Sequence, residues 1–165
     1  MNLDVIVGRY AWVAFLLVTA GYLWPSPKLR ERLKDDPAFA DADRVIRRKV
    51  FLWMSVPWLV MGLGQLLGGV LSVWNFFDPR HEGPWVLAFF LSVFVVWIAS
   101  AYWIFFRDGA TAIADHQLIV AHVFRRSVDL TPNMVKLFFA LALAGGLVAV
   151  VLMFTGALNA AAIVR

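Results

Sequence analysis

The sequence predicts an all-α integral membrane protein with four transmembrane helices in an up-down bundle, and three observations lead there. Of its 165 residues, 62% are hydrophobic and only 16% charged, against roughly 45–50% and about 25% in soluble domains. A soluble domain of this size could not hide that much apolar surface. The apolar residues also come in uninterrupted blocks of about 18 or more rather than at amphipathic spacing. Finally, Lys and Arg gather between alternate blocks, as the positive-inside rule requires of a polytopic chain. Four spans, near 5–24, 50–74, 84–106 and 134–158, use up the chain with their loops and leave a single membrane domain, 1–165.

The first span, Val5 to Trp24, is about one bilayer thickness at 1.5 Å per residue. Val18 and Ala20 loosely fit a cleavage pattern, but the start, MNLD, has no basic region and the densest positive run follows the segment, so it reads as a retained span. Arg9 is the only formal charge clearly inside a predicted span. Near an end it can snorkel, yet a charge at such depth also calls for a partner. Asp78 and Glu82 fall on the same side of the membrane, so an outer ion pair of Arg9 with Asp78, Glu82 or Asp4 is expected.

Pro25 to Lys49 is the only long hydrophilic stretch. Ser26 and Pro27 form an N-cap and N1 pair for a short amphipathic surface helix to about Lys34, which Pro37 should break. Asp41 or Asp43 can then cap a helix that carries Arg44, Arg47, Arg48 and Lys49 into the second span. The loop suits a solvated, topology-setting role, or docking on lipid phosphate or protein.

The second span, Val50 to Trp74, has no formal charge but holds Pro57, Gln65, serines and four glycines. On a wheel at about 100° per residue, Leu52, Val56, Leu59, Leu63, Leu66 and Val70 share a face for lipid. Ser55, Trp58, Gly62, Gln65, Gly69 and Ser72 lie on a polar, small-residue face for protein. Gly64 and Gly68 add a GxxxG pair that permits close helix approach. Pro57 predicts a kink unless neighbours straighten it. Gln65, near mid-membrane, needs a partner, either as inter-helix glue or as a pore ligand.

Asn75 to Gly83 is a turn-rich loop, and Pro84 opens the third span at N1. Ala88, Ser92, Val95, Ala99 and Tyr102 there, with Ala142, Gly145, Gly146 and Ala149 of the fourth span, are the natural partners for the glycine face. Between Arg107 and Leu130, Asp108 and Gly109 either interrupt the helix or let it continue through ATAIAD, and HQLIVAHVF reads as an interfacial segment. Thr131 and Pro132 cap the fourth helix, where Lys136 can snorkel.

The first loop holds eight Lys and Arg and the third holds Arg107, Arg125 and Arg126, whereas the second has only Arg80. The first and third loops are therefore assigned to the cytoplasm and both termini to the outside of a bacterial inner (plasma) membrane. The net charge of +4 belongs to this topology signal and predicts no nucleic-acid partner. The absence of cysteine excludes disulfide and thiol chemistry. His81, His116 and His122 lie outside the spans without one-turn spacing, and the spans contain no Asp or Glu. Neither a metal nor a cofactor is expected, nor an enzyme, since no nucleophile and base pair stands at membrane depth.

The expected role is a non-catalytic accessory, assembly or scaffold subunit acting through helix packing, with the lipid bilayer and a membrane-protein partner or a second copy as its contacts. A second reading is an oligomeric channel or small-molecule transporter lined by Ser55, Gln65 and Ser72. A third is a lipid or quinone binder using Trp58, Trp97 and Tyr102 as a slot.

Overall fold

A computed structural model describes residues 3–78, 83–118, 121–123, 126–128 and 130–155. The fold is helical: α1 (Leu3–Tyr22), α2 (Pro27–Asp35), α3 (Pro37–Leu66), α4 (Pro84–Phe106), α5 (Gly109–Asp115) and α6 (Pro132–Thr155), with a 3-10 turn at Val73–Phe77. A small antiparallel hairpin pairs β1 (Ala121–Val123) with β2 (Arg126–Val128). Among the described residues three helices, α3, α4 and α6, are long and apolar enough to cross a membrane. The 20-residue α1 is described in side-chain detail only from Gly8 onward.

The capping signals act where the sequence places them, with one correction. Ser26 Oγ accepts from the Leu29 N–H at 3.2 Å and Pro27 opens α2. Thr131 Oγ1 accepts from the Met134 N–H at 3.4 Å ahead of Pro132 in α6. Pro37, however, does not merely end α2; it starts α3 at N1, with Asp36 accepting from the Phe39 N–H at 3.0 Å. Asp-Pro is itself an N-cap and N1 pair. Asp41 and Asp43 are thereby freed from capping.

The second span is likewise redrawn. At 30 residues, α3 is about 45 Å long, more than the roughly 30 Å of a hydrocarbon core, and it ends at Leu66 rather than Trp74. Gly69 adopts a left-handed φ of +69°, cheap only without a Cβ, and the chain turns so that the Val70 N–H reaches the Gly64 carbonyl at 3.2 Å. Gly68, Gly69 and Ser72 are thus outside the helix. Within the helix the wheel holds in part: Leu52, Leu59, Leu63 and Leu66 are exposed and Ser55 and Gly62 are buried, whereas Val56, assigned to lipid, is half-buried, as are Trp58 and Gln65 on the protein face.

Helix neighbours follow chain order, α1 on α3, α3 on α4 and α4 on α6. The partners of the glycine face are aromatic rings rather than the small-residue stripes of the third and fourth spans. A Cβ at Gly62 would lie 2.9 Å from the Trp12 ring, and one at Gly64 would lie 2.6 Å from Phe76 and 3.0 Å from Trp85. Val95 and Tyr102, assigned above to the packing stripe, are each 55% exposed. Glycine here makes room for a ring, which buries far more area than a second glycine could. Trp97 fills the notch at Gly146 in the same way, 2.5 Å from where its Cβ would be.

Two apolar clusters result. Met61, Val73, Phe76, Val86, Phe89 and Phe90 close one end of the α3–α4 pair. At the other end Ile104, Ala110, Ile113, Leu118 and Val135 form the second. Asp108, with φ 56°, breaks the helix after α4, as a short polar side chain tolerates. The following α5 and Leu118, part of the expected interfacial segment, fold into this second cluster instead of lying bare on a surface.

Candidate functional site

Part of the sequence-selected polar stripe lies against α1. Gln65 Nε2 donates to the Gly8 carbonyl of α1 at 2.8 Å, Ser72 Oγ would sit 3.2 Å from a Cβ at Gly8, and Trp58 stacks on Phe15 with ring centroids 4.4 Å apart. Ser55 is 2% exposed, and its Oγ, like Gln65 Oε1, is buried without a hydrogen-bond partner among the described residues. Gln65→Leu is expected to cost about 0.6 kcal/mol, the usual worth of a polar contact between spans, because the helical Gly8 carbonyl keeps its own backbone bond. Denaturant titration in detergent would measure it.

The expected outer ion pair falls partly outside the described residues. Glu82 lies there entirely, as does the Asp4 side chain. Asp78 sits at the carboxyl end of the 3-10 turn. Arg9 is exposed and makes no ion pair among the described residues.

A different constellation, not singled out from the sequence, joins the first and third loops. Asp43, 3% exposed, and His116, 8% exposed, are buried. Asp43 Oδ2 accepts from Arg47 Nε at 2.7 Å, and Asp43 Oδ1 lies 3.0 Å from His116 Nδ1. Arg47 Nη1 donates to the Leu23 carbonyl at 2.6 Å, and Nη2 donates to the His116 carbonyl. Leu23 follows the last residue of α1, and His116 is the C-cap of α5. One guanidinium therefore satisfies the carboxyl ends of two helices, where carbonyls lack intrahelical donors and the dipole favours a cation. Asp43 neutralises it.

Aromatic stacking completes the junction. The Phe39 ring lies parallel to the His116 imidazole, 4.7 Å between centroids and 2° between planes, and the Arg32 guanidinium sits 4.0 Å from the same ring. Since two groups cannot share one face, Phe39 is sandwiched between them. Ser26 Oγ also donates to Gln117 Oε1 at 2.9 Å. The signal was present in the sequence: Phe39, Asp43, Arg47 and Val50 recur on one face of α3, an acid and a base at i and i+4 inside an apolar stripe.

Chemically, a carboxylate oriented on an imidazole is two of the three members of a hydrolytic triad. Among the described residues no Ser or Thr side chain hydrogen-bonds to His116, and no group of His, Asp and Glu could hold a metal ion. The arrangement is a clamp on the loops. Beside it lies a cavity of about 990 Å³ between α1, α3 and α4, bounded by Leu23, Ile113 and Leu118 at the clamp end. Trp58, Trp97 and Tyr102 are absent from its lining, where Trp53 and Trp103 stand instead.

No family model, curated protein or solved structure matches this chain.

Proposed function

We propose that this protein is a non-catalytic, four-span subunit of an inner-membrane assembly that works by presenting a helix face to a partner. In this reading α1 joins the three long apolar helices in up-down order, with both termini outside and the clamped first and third loops in the cytoplasm. The observation that carries it is α6: its most apolar window has a mean hydropathy of 2.7 and none of it is buried. Of its length only Val135 is buried, and its contacts to α4 run down one side through Phe139 on Phe105, Gly146 on Trp97 and Phe154 on Phe90.

About a quarter-turn round the helix from these contacts, Ala142, Gly145 and Ala149 form a small-residue ridge, and nothing lies within 4 Å of a Cβ at Gly145. Small residues at this spacing let a second membrane helix approach closely. Gly145→Leu should abolish co-purification of a stoichiometric foreign membrane protein in mild detergent while leaving the chain folded. Recovery of the parent protein as a monomer or a homo-oligomer alone would sink the proposal.

A further inference from the structure

The cavity between α1, α3 and α4 is about one leaflet deep and carries a cation at one end, neither of which helix packing requires. Along α3 its lining runs from Ile46 to Val56, a rise of about 15 Å at 1.5 Å per residue. That is half of a hydrocarbon core roughly 30 Å thick. Its volume of about 990 Å³ stands at the upper end of the roughly 300–1,000 Å³ that ligand sites occupy.

Two of the polar contacts in the walls are internal to the protein. Thr19 Oγ1 donates to the Phe15 carbonyl at 2.8 Å, and Trp53 Nε1 donates to Ser100 Oγ at 3.3 Å. The remainder of the slot, with Leu52 and Val56 on α3 and Ala99 and Trp103 on α4, presents hydrocarbon or aromatic surface. Lys49 differs. It is exposed at the end of the slot nearest the clamp and has no ion pair among the described residues, while Asp41 and Asp43 nearby are engaged by Arg44 and Arg47.

An apolar slot one leaflet deep with a free ammonium at headgroup level is complementary to an acyl chain and the phosphate of an anionic glycerophospholipid. We infer that this cavity is a binding site for such a lipid, drawn from the leaflet that faces the first loop. The acyl chain lies along Leu52, Val56 and Ala99, the phosphate pairs with Lys49, and the clamp closes the headgroup end. A neutral isoprenoid quinone would leave the ammonium unpaired.

The test uses the full chain, purified in mild detergent, stripped of loose lipid by extended washing, and exposed to vesicles of equal phosphatidylglycerol and phosphatidylcholine. Native mass spectrometry and lipid extraction then read what is retained. Phosphatidylglycerol should be held in preference, and Lys49→Gln should cut that preference about fivefold, the worth of one basic residue beside an anionic lipid surface. Ala99→Trp should fill the slot and remove retention of both lipids. Should Ala99→Trp fail to fold, Lys49→Gln and Lys49→Glu decide, since an exposed side chain can be changed without touching the core. Retention without headgroup preference, a preference unchanged in Lys49→Gln, or a quinone recovered in place of phospholipid would overturn the inference.

Discussion

Arg47→Ala is expected to destabilise the protein by about 3–5 kcal/mol, the cost of leaving a buried carboxylate without its partner. The side chains of Arg47 and Asp43 are only 11% and 4% exposed, so water cannot replace the lost guanidinium. The loss extends beyond the ion pair, because the Leu23 and His116 carbonyls forfeit their donors together. Arg47→Lys should recover only part of the stability: an ammonium is a point charge and cannot reproduce a planar fork aimed at three acceptors. The double replacement Arg47→Met with Asp43→Leu should be far milder than Arg47→Ala, since it removes both charges from the junction. Chemical unfolding in detergent micelles gives the three values, and protease cleavage between residues 107 and 130 should rise first in Arg47→Ala. A loss below 1 kcal/mol would mean that the clamp is not a stabilising element.

Much of the helical framework is legible because its determinants are local. Ser26-Pro27, Thr131-Pro132 and Pro84 mark helix starts through backbone chemistry that needs no tertiary context, and the leucine face of α3 follows from a period alone. The errors arise where distant residues decide. Trp74 reads as the end of a span because nothing in the uncharged run announces a stop, yet a left-handed Gly69 and the insertion of Phe76 beside Gly64 end the helix earlier. The clamp is missed for a similar reason. Its acid and base are adjacent on α3, but the imidazole and both carbonyls come from segments 24 and 69 residues away from Arg47. Basic residues beside a span carry a generic topology signal, and that signal masks an arginine whose role is structural.

The second large effect is expected at Gly64, where Gly→Ala should destabilise the α3–α4 contact by about 1–3 kcal/mol through overpacking. A Cβ there meets three atoms within 3.1 Å: Phe76 Cζ at 2.6 Å, Trp85 Cβ at 3.0 Å and Phe76 Cε1 at 3.1 Å. Phe76 is fully buried in the cluster that closes this end of the molecule, so its ring cannot swing aside without moving Phe89, against which it packs edge-on at 5.6 Å. Trp85 offers no relief either, because its near atom is Cβ, fixed by the first turn of α4. Gly145→Ala is the matched control: the position is helical, with open space around it, and added helix propensity should make the change neutral or stabilising by about 0.5–1 kcal/mol. The sign difference between two identical substitutions in apolar helices separates packing from propensity. If both changes moved the unfolding midpoint equally, the close approach of Phe76 and Trp85 to α3 would not be what holds these two helices together.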